Sequence, residues 1–339
     1  ILSPRPFVPS LETSVKEKNL NLVRATRIPL IGRWWKSGLP RYLRKNHFDL
    51  FHGTNFELPL TSDCATVLTI HDLSTLLLPH THEGRNVARA KERLPGFAKA
   101  ATMIVSPTDA IRQEIHEHLR IPLDKIVAIH EAARDCFQPL HFDETASIRK
   151  RFGVEGQFIL YVGTVEPRKN LLRLVQAFEQ CRREYEEPLQ LVIAGRTGWM
   201  VNELYDYVRY SDAREAIVFS GYLSDRELQE LYSSCVLFLY PSHYEGFGLP
   251  PLEAMACGAP VIASNIDSIM EVTGSAARLV KPEVPDLKTA MLDLLMNWEA
   301  RETLSRRGKQ RAAQFSWSQT ARRMREVYVE AIERFRAGK

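Results

Sequence analysis

From about residue 157 onward, short apolar runs recur between longer segments of helical spacing, at 158–162, 189–194, 217–220, 236–240, 261–263 and 278–280. These runs are apolar at consecutive positions rather than alternating, the pattern of strands buried on both faces. Strand followed by helix, repeated, predicts an α/β domain with a parallel sheet and crossover helices. The first half repeats the theme less regularly, with strands expected at 49–52, 66–71, 103–106 and 126–129 and helices near 84–101 and 108–119. It reads as a second doubly wound domain.

The polar stretch 138–156, with Pro139 near its start and a helical fragment at 144–152, is the expected join. The chain then divides into an N-terminal domain over 1–140, a C-terminal domain over 156–316 and a last helix over 317–339. Ser316-Trp317-Ser318 is the start signal of that helix. Met324, Val327, Tyr328, Ala331, Ile332 and Phe335 follow the three-four spacing of one buried face. This face is expected to pack back on the N-terminal domain. The first 48 residues are polar with scattered prolines, so the opening strand, Gly-containing turn and helix of a nucleotide-type domain are expected to be missing.

Composition changes this picture little. At 339 residues, 45% apolar and 25% charged, the chain is an ordinary globular sequence long enough for two cores. No apolar run approaches the roughly 18 residues of a membrane span, and the first residues lack the apolar core of a secretory signal. Five scattered cysteines without Cys-x-x-Cys spacing are expected as buried thiols in a reducing cytoplasm.

The formal net charge is +4; residues 1–135 hold 19 Lys and Arg against 14 Asp and Glu, the remainder 26 against 27. This is a weak footprint for nucleic acid, which is not an expected partner; an anionic membrane surface or a phosphate-bearing substrate accounts for it as well. Trp34-Trp35 lies between Arg33 and Lys36, ahead of Arg41, Arg44 and Lys45. Such a segment suits a membrane interface, or equally a Trp pair packed in the core. The location expected is therefore cytoplasmic, with peripheral attachment at the inner face of the membrane as the second form.

The stretch Tyr240-Pro-Ser-His-Tyr-Glu245-Gly-Phe-Gly-Leu-Pro-Pro-Leu-Glu253 carries the most chemistry. A buried strand ends at Tyr240, Gly246 and Gly248 let backbone N–H groups approach a ligand, and Pro250-Pro251 start a helix. The positive end of that helix, at the carboxyl end of a parallel strand, suits a diphosphate. Glu245 would accept from sugar hydroxyls and Glu253 from a ribose diol; the alternative is a plain turn and a solvated helix glutamate. In Gly163-Thr164-Val-Glu-Pro-Arg168-Lys169-Asn170 a strand gives way to a helix beside two cations, which would stabilise a leaving diphosphate or merely cap a turn. His71, just past an apolar strand, is a sugar-binding or acid/base candidate, or a satisfied core histidine. There is no Gly-x-x-x-x-Gly-Lys-Ser/Thr, prolines interrupt any Gly-x-Gly-x-x-Gly, and no Asp-x-Asp pair exists for a metal-bound sugar nucleotide. The site is expected to need no metal and no cofactor.

Glu245-x7-Glu253, together with Gly163–Asn170, Ala194-Gly195, Phe219-Ser-Gly221-Tyr, Pro260–Asn265 and Phe315-Ser-Trp317, resembles the retaining glycosyltransferases of family four. The resemblance spans about 45–335 and is densest over 157–282. It implies the GT-B fold, two Rossmann-like domains facing across a cleft, with a GDP- or UDP-linked sugar held mainly by the C-terminal one. By position, Glu245 would contact the donor sugar and Glu253 the ribose. Lys169 with Arg168 would neutralise the diphosphate, and the backbone of Phe247, Gly248 and Leu249 would bind phosphate and sugar oxygens. Gly163 and Thr164 would line the nucleotide, and His71 would face the donor sugar. Many relatives place Arg where Thr164 stands, which shifts the load to Lys169 and Arg168. His71-Asp72-Leu73 resembles mannosyltransferases using GDP-mannose. The implied activity is transfer of a hexose, with retention, to a glycan, a lipid-linked glycan or a glycosylated small molecule. The alternatives are an inactive nucleotide-sugar-binding protein and a glycogen- or sucrose-synthase-type transferase.

Overall fold

The computed structural model describes residues 2–3, 23–24 and 37–338. Trp34, Trp35 and most of the polar opening stretch lie outside them, so the membrane-interface segment and the opening unit are not described. Strands β1 (Leu2–Ser3) and β2 (Val23–Arg24) form a small parallel pair.

The first large sheet runs β3 (Leu50–Gly53), β4 (Ala65–Thr69), β5 (Met103–Ser106) and β6 (Ile126–Ala128), in that order and all parallel. All five residues of β4 are buried, and their alternation sorts the core into two layers. Leu68, with Ile70 just beyond the strand, faces α3 (Gly84–Ala100) and α4 (Asp109–Leu119) through Leu94, Phe97, Ile111 and Ile115. Ala65 and Val67, with Met103, Val105 and Ile129, pack against Val327 and Ala331 of the last helix, α13 (Trp317–Ala337). The chain thus returns to the first sheet at its end. Short helices α1 (Leu39–Asn46) and α2 (Ser74–Leu77) complete this half.

Ala331 is fully buried while Val329, two residues away, is 51% exposed. Ala331→Asp would place an unpaired charge against the sheet, at a cost of several, about 3, kcal/mol. A clear drop in thermal midpoint is expected for this variant and none for Val329→Asp; equal midpoints would count against the docking of α13.

The second sheet holds β7 (Gln157–Val162), β8 (Leu189–Ala194), β9 (Ile217–Gly221), β10 (Leu237–Tyr240), β11 (Val261–Ser264) and β12 (Arg278–Val280). Its order is β12-β11-β10-β7-β8-β9, again parallel. The chain winds outward from β7 to β9, then restarts on the other side of β7 with β10. The strand order reverses between β7 and β10, and open α/β sheets bind ligands beyond the carboxyl ends of strands at such a point. Helices α5 (Ala146–Arg151), α6 (Leu171–Glu184), α7 (Asn202–Arg209), α8 (Asp225–Ser234), α9 (Leu249–Ala256), α10 (Asp267–Thr273), α11 (Val284–Leu295) and α12 (Trp298–Ala312) cover and flank the sheet.

The chain passes between domains twice, around residues 130–140 and 313–316, and the two passages touch. The His130 and Phe315 rings meet edge to face with centroids 5.5 Å apart, and the Thr320 hydroxyl donates to the His130 carbonyl at 2.7 Å. One expectation about the cysteines fails: Cys64, Cys181, Cys235 and Cys257 are buried, but Cys136 is exposed. It sits on the first passage, where the backbone leaves one core before entering the next.

Candidate functional site

The loops after β7 and β10 meet at the reversal point. Beyond β7 the chain makes a short 3-10 turn over Pro167–Lys169 and enters α6 through Asn170, whose backbone is left-handed (φ 60). The Asn170 amide donates to the carbonyls of Pro241 and Pro282 at 3.1 and 2.8 Å. The His243 N–H donates to the Arg168 carbonyl at 2.9 Å. The Arg168-Lys169 turn is therefore fastened to the loop that carries Glu245.

Glu245 is buried between both cations. Its Oε1 accepts from Lys169 Nζ at 2.6 Å and its Oε2 from Arg168 Nη1 at 3.0 Å. Burial would raise the Glu245 carboxyl, yet Lys169 and Arg168 outweigh it and hold the pKa at about 2, so the group is ionised at neutral pH. Arg168 is shared: Nη2 donates to Glu166 at 2.7 Å and Nη1 also to the Tyr244 carbonyl at 2.7 Å. Its side chain is only 11% exposed. Lys169 donates further to the Tyr240 hydroxyl at 3.0 Å, which leaves one of its three N–H groups uncommitted. Lys169 meets one carboxylate and Arg168 two, though the buried Nε of Arg168 has no hydrogen-bond partner among the described residues.

Helix α9 begins directly beyond this cluster. Its N-cap, Gly248, has φ 96, and no side chain caps the helix; Pro250 and Pro251 carry no N–H and the Leu252 N–H bonds the Gly248 carbonyl, so the Leu249 N–H and the dipole are what the helix start presents at the site. A Cβ on Gly248 would lie 2.5 Å from Ile269. Phe247 turns its ring into the core against His130 and Phe315, while its backbone stays in the loop that leads through Gly248 to Leu249, the first residue of α9. Gly163 and exposed Thr164 lie at the end of β7 on the same edge. The structure thus brings Gly163, Thr164, Arg168, Lys169, Glu245, Phe247, Gly248 and Leu249 together.

The N-terminal domain closes on the same loop. A Cβ on Gly246 would sit 1.9 Å from the His71 carbonyl, so the backbones of the two domains approach as only glycine allows. Thr108 donates through its hydroxyl to the Gly246 carbonyl at 2.9 Å. The Tyr244 hydroxyl accepts from Leu73 N–H at 3.0 Å and donates to Glu114. The imidazole of His71 is partly exposed, with Nε2 3.0 Å from the Thr54 carbonyl and Nδ1 3.3 Å from Glu131. The Glu131 carboxylate, together with that carbonyl, raises its pKa against the effect of burial.

Glu253 faces away from this cluster, toward the connector. Its Oε1 lies 3.3 Å from Arg134 Nη2, and its Oε2 accepts from the Tyr232 hydroxyl at 3.2 Å. Burial raises its carboxyl pKa, with Arg134 and Tyr232 working in the opposite direction. Sequence reasoning missed Glu166, Glu131 and Arg134. Glu166 stands inside the quoted motif and could have been found there; Glu131 and Arg134 lie in a connector without periodicity, and only the tertiary fold shows their targets.

Known proteins give this geometry a family. The family model described as "Glycosyl transferases group 1" matches residues 143–311, and "Glycosyltransferase Family 4" matches 3–133. The chain is 35% identical over 270 residues to O-antigen chain mannosyltransferase B of Escherichia coli, covering 79% of this chain and 71% of that one. It is 31% identical over 280 residues to the serotype-specific mannosyltransferase WbdA of Escherichia coli, covering 80% of this chain but only 34% of that one. Among solved structures, HepE of Anabaena in complex with UDP-glucose superposes with a TM-score of 0.78 at 17% identity, covering 95% and 89% of the two chains. A glycosyltransferase from Rickettsia africae superposes at 0.76 and 16% identity, covering 98% and 89%. The two facing parallel-sheet domains are those of the GT-B fold, and the chain belongs to glycosyltransferase family four, with mannosyltransferases among its relatives.

Proposed function

We propose that this glycosyltransferase moves mannose from GDP-mannose, with retention of configuration and without a metal ion, to a glycan, a lipid-linked glycan or a glycosylated small molecule. One observation carries the reading: an ionised Glu245 locked to Lys169 at the strand-order reversal, beside the uncapped start of α9. The relatives named as mannosyltransferases support the choice of sugar.

In this reading Glu245 accepts hydrogen bonds from donor-sugar hydroxyls, and Glu253 holds the ribose. The free N–H of Lys169 and the Leu249 N–H at the start of α9 meet the diphosphate, where charge grows as the anomeric C–O bond breaks. The acceptor hydroxyl attacks from the face the diphosphate is leaving. Its oxygen bonds to the anomeric carbon and its proton passes to the departing phosphate oxygen, so configuration is kept with no covalent intermediate. His71, held by Glu131 and the Thr54 carbonyl, faces the sugar from the other domain. Arg168 acts behind Glu245, fixing its position.

No helix among the described residues is long and apolar enough to cross a membrane. The reading places the enzyme in the cytoplasm, where nucleotide sugars are available, with a lipid-linked acceptor met at the inner membrane face.

Calorimetric titration with GDP, UDP and ADP, with Mg²⁺ and with EDTA, tests the donor site. Micromolar binding of GDP, unchanged by EDTA and weakened about tenfold or more in Glu253→Gln, is the expected result. Preference for UDP would overturn the donor base, and a requirement for Mg²⁺ would overturn metal independence. The anomeric configuration of the product, read by NMR, decides retention.

A further inference from the structure

We propose that Arg134, on the connector between the domains, is a positioning residue for donor binding: it holds and aims the Glu253 carboxylate while leaving its oxygens able to take the ribose diol. The inference rests on the donor-site reading above and deepens it.

Arg134 follows β6 on the first passage between domains, and its guanidinium reaches two carboxylates of the C-terminal domain. Nη2 lies 3.3 Å from Glu253 Oε1 and Nη1 donates to Asp225, at the start of α8. The same guanidinium covers the Phe137 ring at 4.9 Å from its centroid. Phe137 meets the Tyr232 ring edge-on at 5.6 Å, and the Tyr232 hydroxyl donates to Glu253 Oε2. Arg134, Phe137, Tyr232 and Glu253 thus form a closed ring of contacts, with Glu253 held on both oxygens.

The contacts do not exhaust the carboxylate. An ionised carboxylate offers about four acceptor sites over its two oxygens. Each Glu253 oxygen uses one, leaving one apiece, which matches the two hydroxyls of a vicinal diol. A protonated Glu253 would lose part of this capacity.

Charge points to the same residue. The groups facing Glu253 are Arg134 and Cys136 from the connector, Asp225 and Tyr232 from α8, and Cys257 at the end of α9. Burial pushes the Tyr232 hydroxyl and both thiols up, so they stay neutral near pH 7. Asp225 opposes ionisation of Glu253, and Arg134 is the cation that favours it. The guanidinium is 47% exposed, so its loss is expected to leave the fold intact.

The test is calorimetric titration of GDP between pH 5.5 and 8.5 against the wild type, Arg134→Met and Arg134→Lys. The Glu253 carboxyl is followed in parallel by ¹³C NMR without nucleotide and assigned by its loss in Glu253→Gln. In Arg134→Met, binding at pH 6 is expected to weaken about tenfold, equivalent to about 1.4 kcal/mol. The acid limb of its binding profile and the carboxyl titration should both move to higher pH, and Arg134→Lys should restore much of the difference. Tighter binding in Arg134→Met would show that the arginine occupies the ligand's place, and an unmoved carboxyl titration would show that it does not set Glu253; either overturns the proposal. A wild type that binds neither GDP nor UDP at any pH would instead remove the donor-site reading, with the carboxyl titration still deciding the link from Arg134 to Glu253.

Discussion

Glu245→Gln is expected to lower the turnover number for transfer about 10³-fold, the scale seen when a preorganised polar group is removed from a charge-developing site. Gln keeps the size of the side chain but turns one accepting oxygen into an NH2 donor, so the loss reports the charge together with one of the two cation contacts. The same change removes the anion that Lys169 and Arg168 share, leaving Arg168 to Glu166 and Lys169 to the Tyr240 hydroxyl. Breaking one member out of a buried ionic group costs about 3 kcal/mol, so the variant should also melt early. Turnover within a few-fold of wild type would remove Glu245 from the reaction.

The pH dependence of stability follows with its sign. The Glu245 carboxyl titrates near 2 in the folded chain against an ordinary 4.5, because the two cations outweigh burial. A depressed carboxyl pKa contributes stability fully above the ordinary value and loses it as pH falls through the folded one. Between about pH 4.5 and 2 the wild type should lose stability that Glu245→Gln never had, so the gap between their unfolding midpoints should narrow with acid. Glu114 works in the opposite sense. Burial, against the Tyr244 hydrogen bond, raises its carboxyl to about 6, so its contribution is present below the ordinary carboxyl value and lost as pH rises through about 6.

Gly246→Ala is the second large effect. The new methyl would meet the His71 carbonyl at 1.9 Å and the Asp72 Cβ at 3.2 Å, and the first of these is backbone that cannot swing aside. The domains must separate by more than an ångström at the point where His71 approaches the donor loop. A shift of that size costs about 10²-fold in rate when it misplaces reacting groups. Lys169, Glu245 and Glu253 all belong to the C-terminal domain, so affinity for GDP is expected to stay within a few-fold of wild type. Loss of turnover with binding retained would show that catalysis needs the domain contact itself. Full turnover would show that it does not.

The strands of the second sheet were legible because burial on both faces leaves them almost nothing but apolar residues: Phe158, Ile159, Leu160 and Tyr161 are all fully buried. The Glu245 loop was legible because its glycines and prolines are forced by local backbone geometry and a helix start. The register of the first domain was less so, since β3 is half-exposed and the strand after Cys64 ends at Thr69, before the His71 that the apolar run suggested. Arg168 shows a different limit. Adjacent Arg and Lys look equivalent in a sequence, yet one lies between two carboxylates and the other meets Glu245 and the Tyr240 hydroxyl, a difference set by Glu166 two residues earlier and by residues far along the chain. Arg134 and Glu131 had no local mark, because what defines them is where the connector runs.

The paired passages between the domains constrain how this enzyme can breathe. A single tether lets two bodies swivel freely, but two chain segments held side by side, His130 against Phe315 and Thr320 onto the His130 carbonyl, behave like the leaves of a door hinge. They permit opening about one axis and oppose torsion about the other, so that each closing returns His71 to Gly246 and Arg134 to Glu253 in the same alignment. Cutting the chain ahead of Trp317 would remove one leaf of the hinge and also bare the face of the first sheet that Val327 and Ala331 cover.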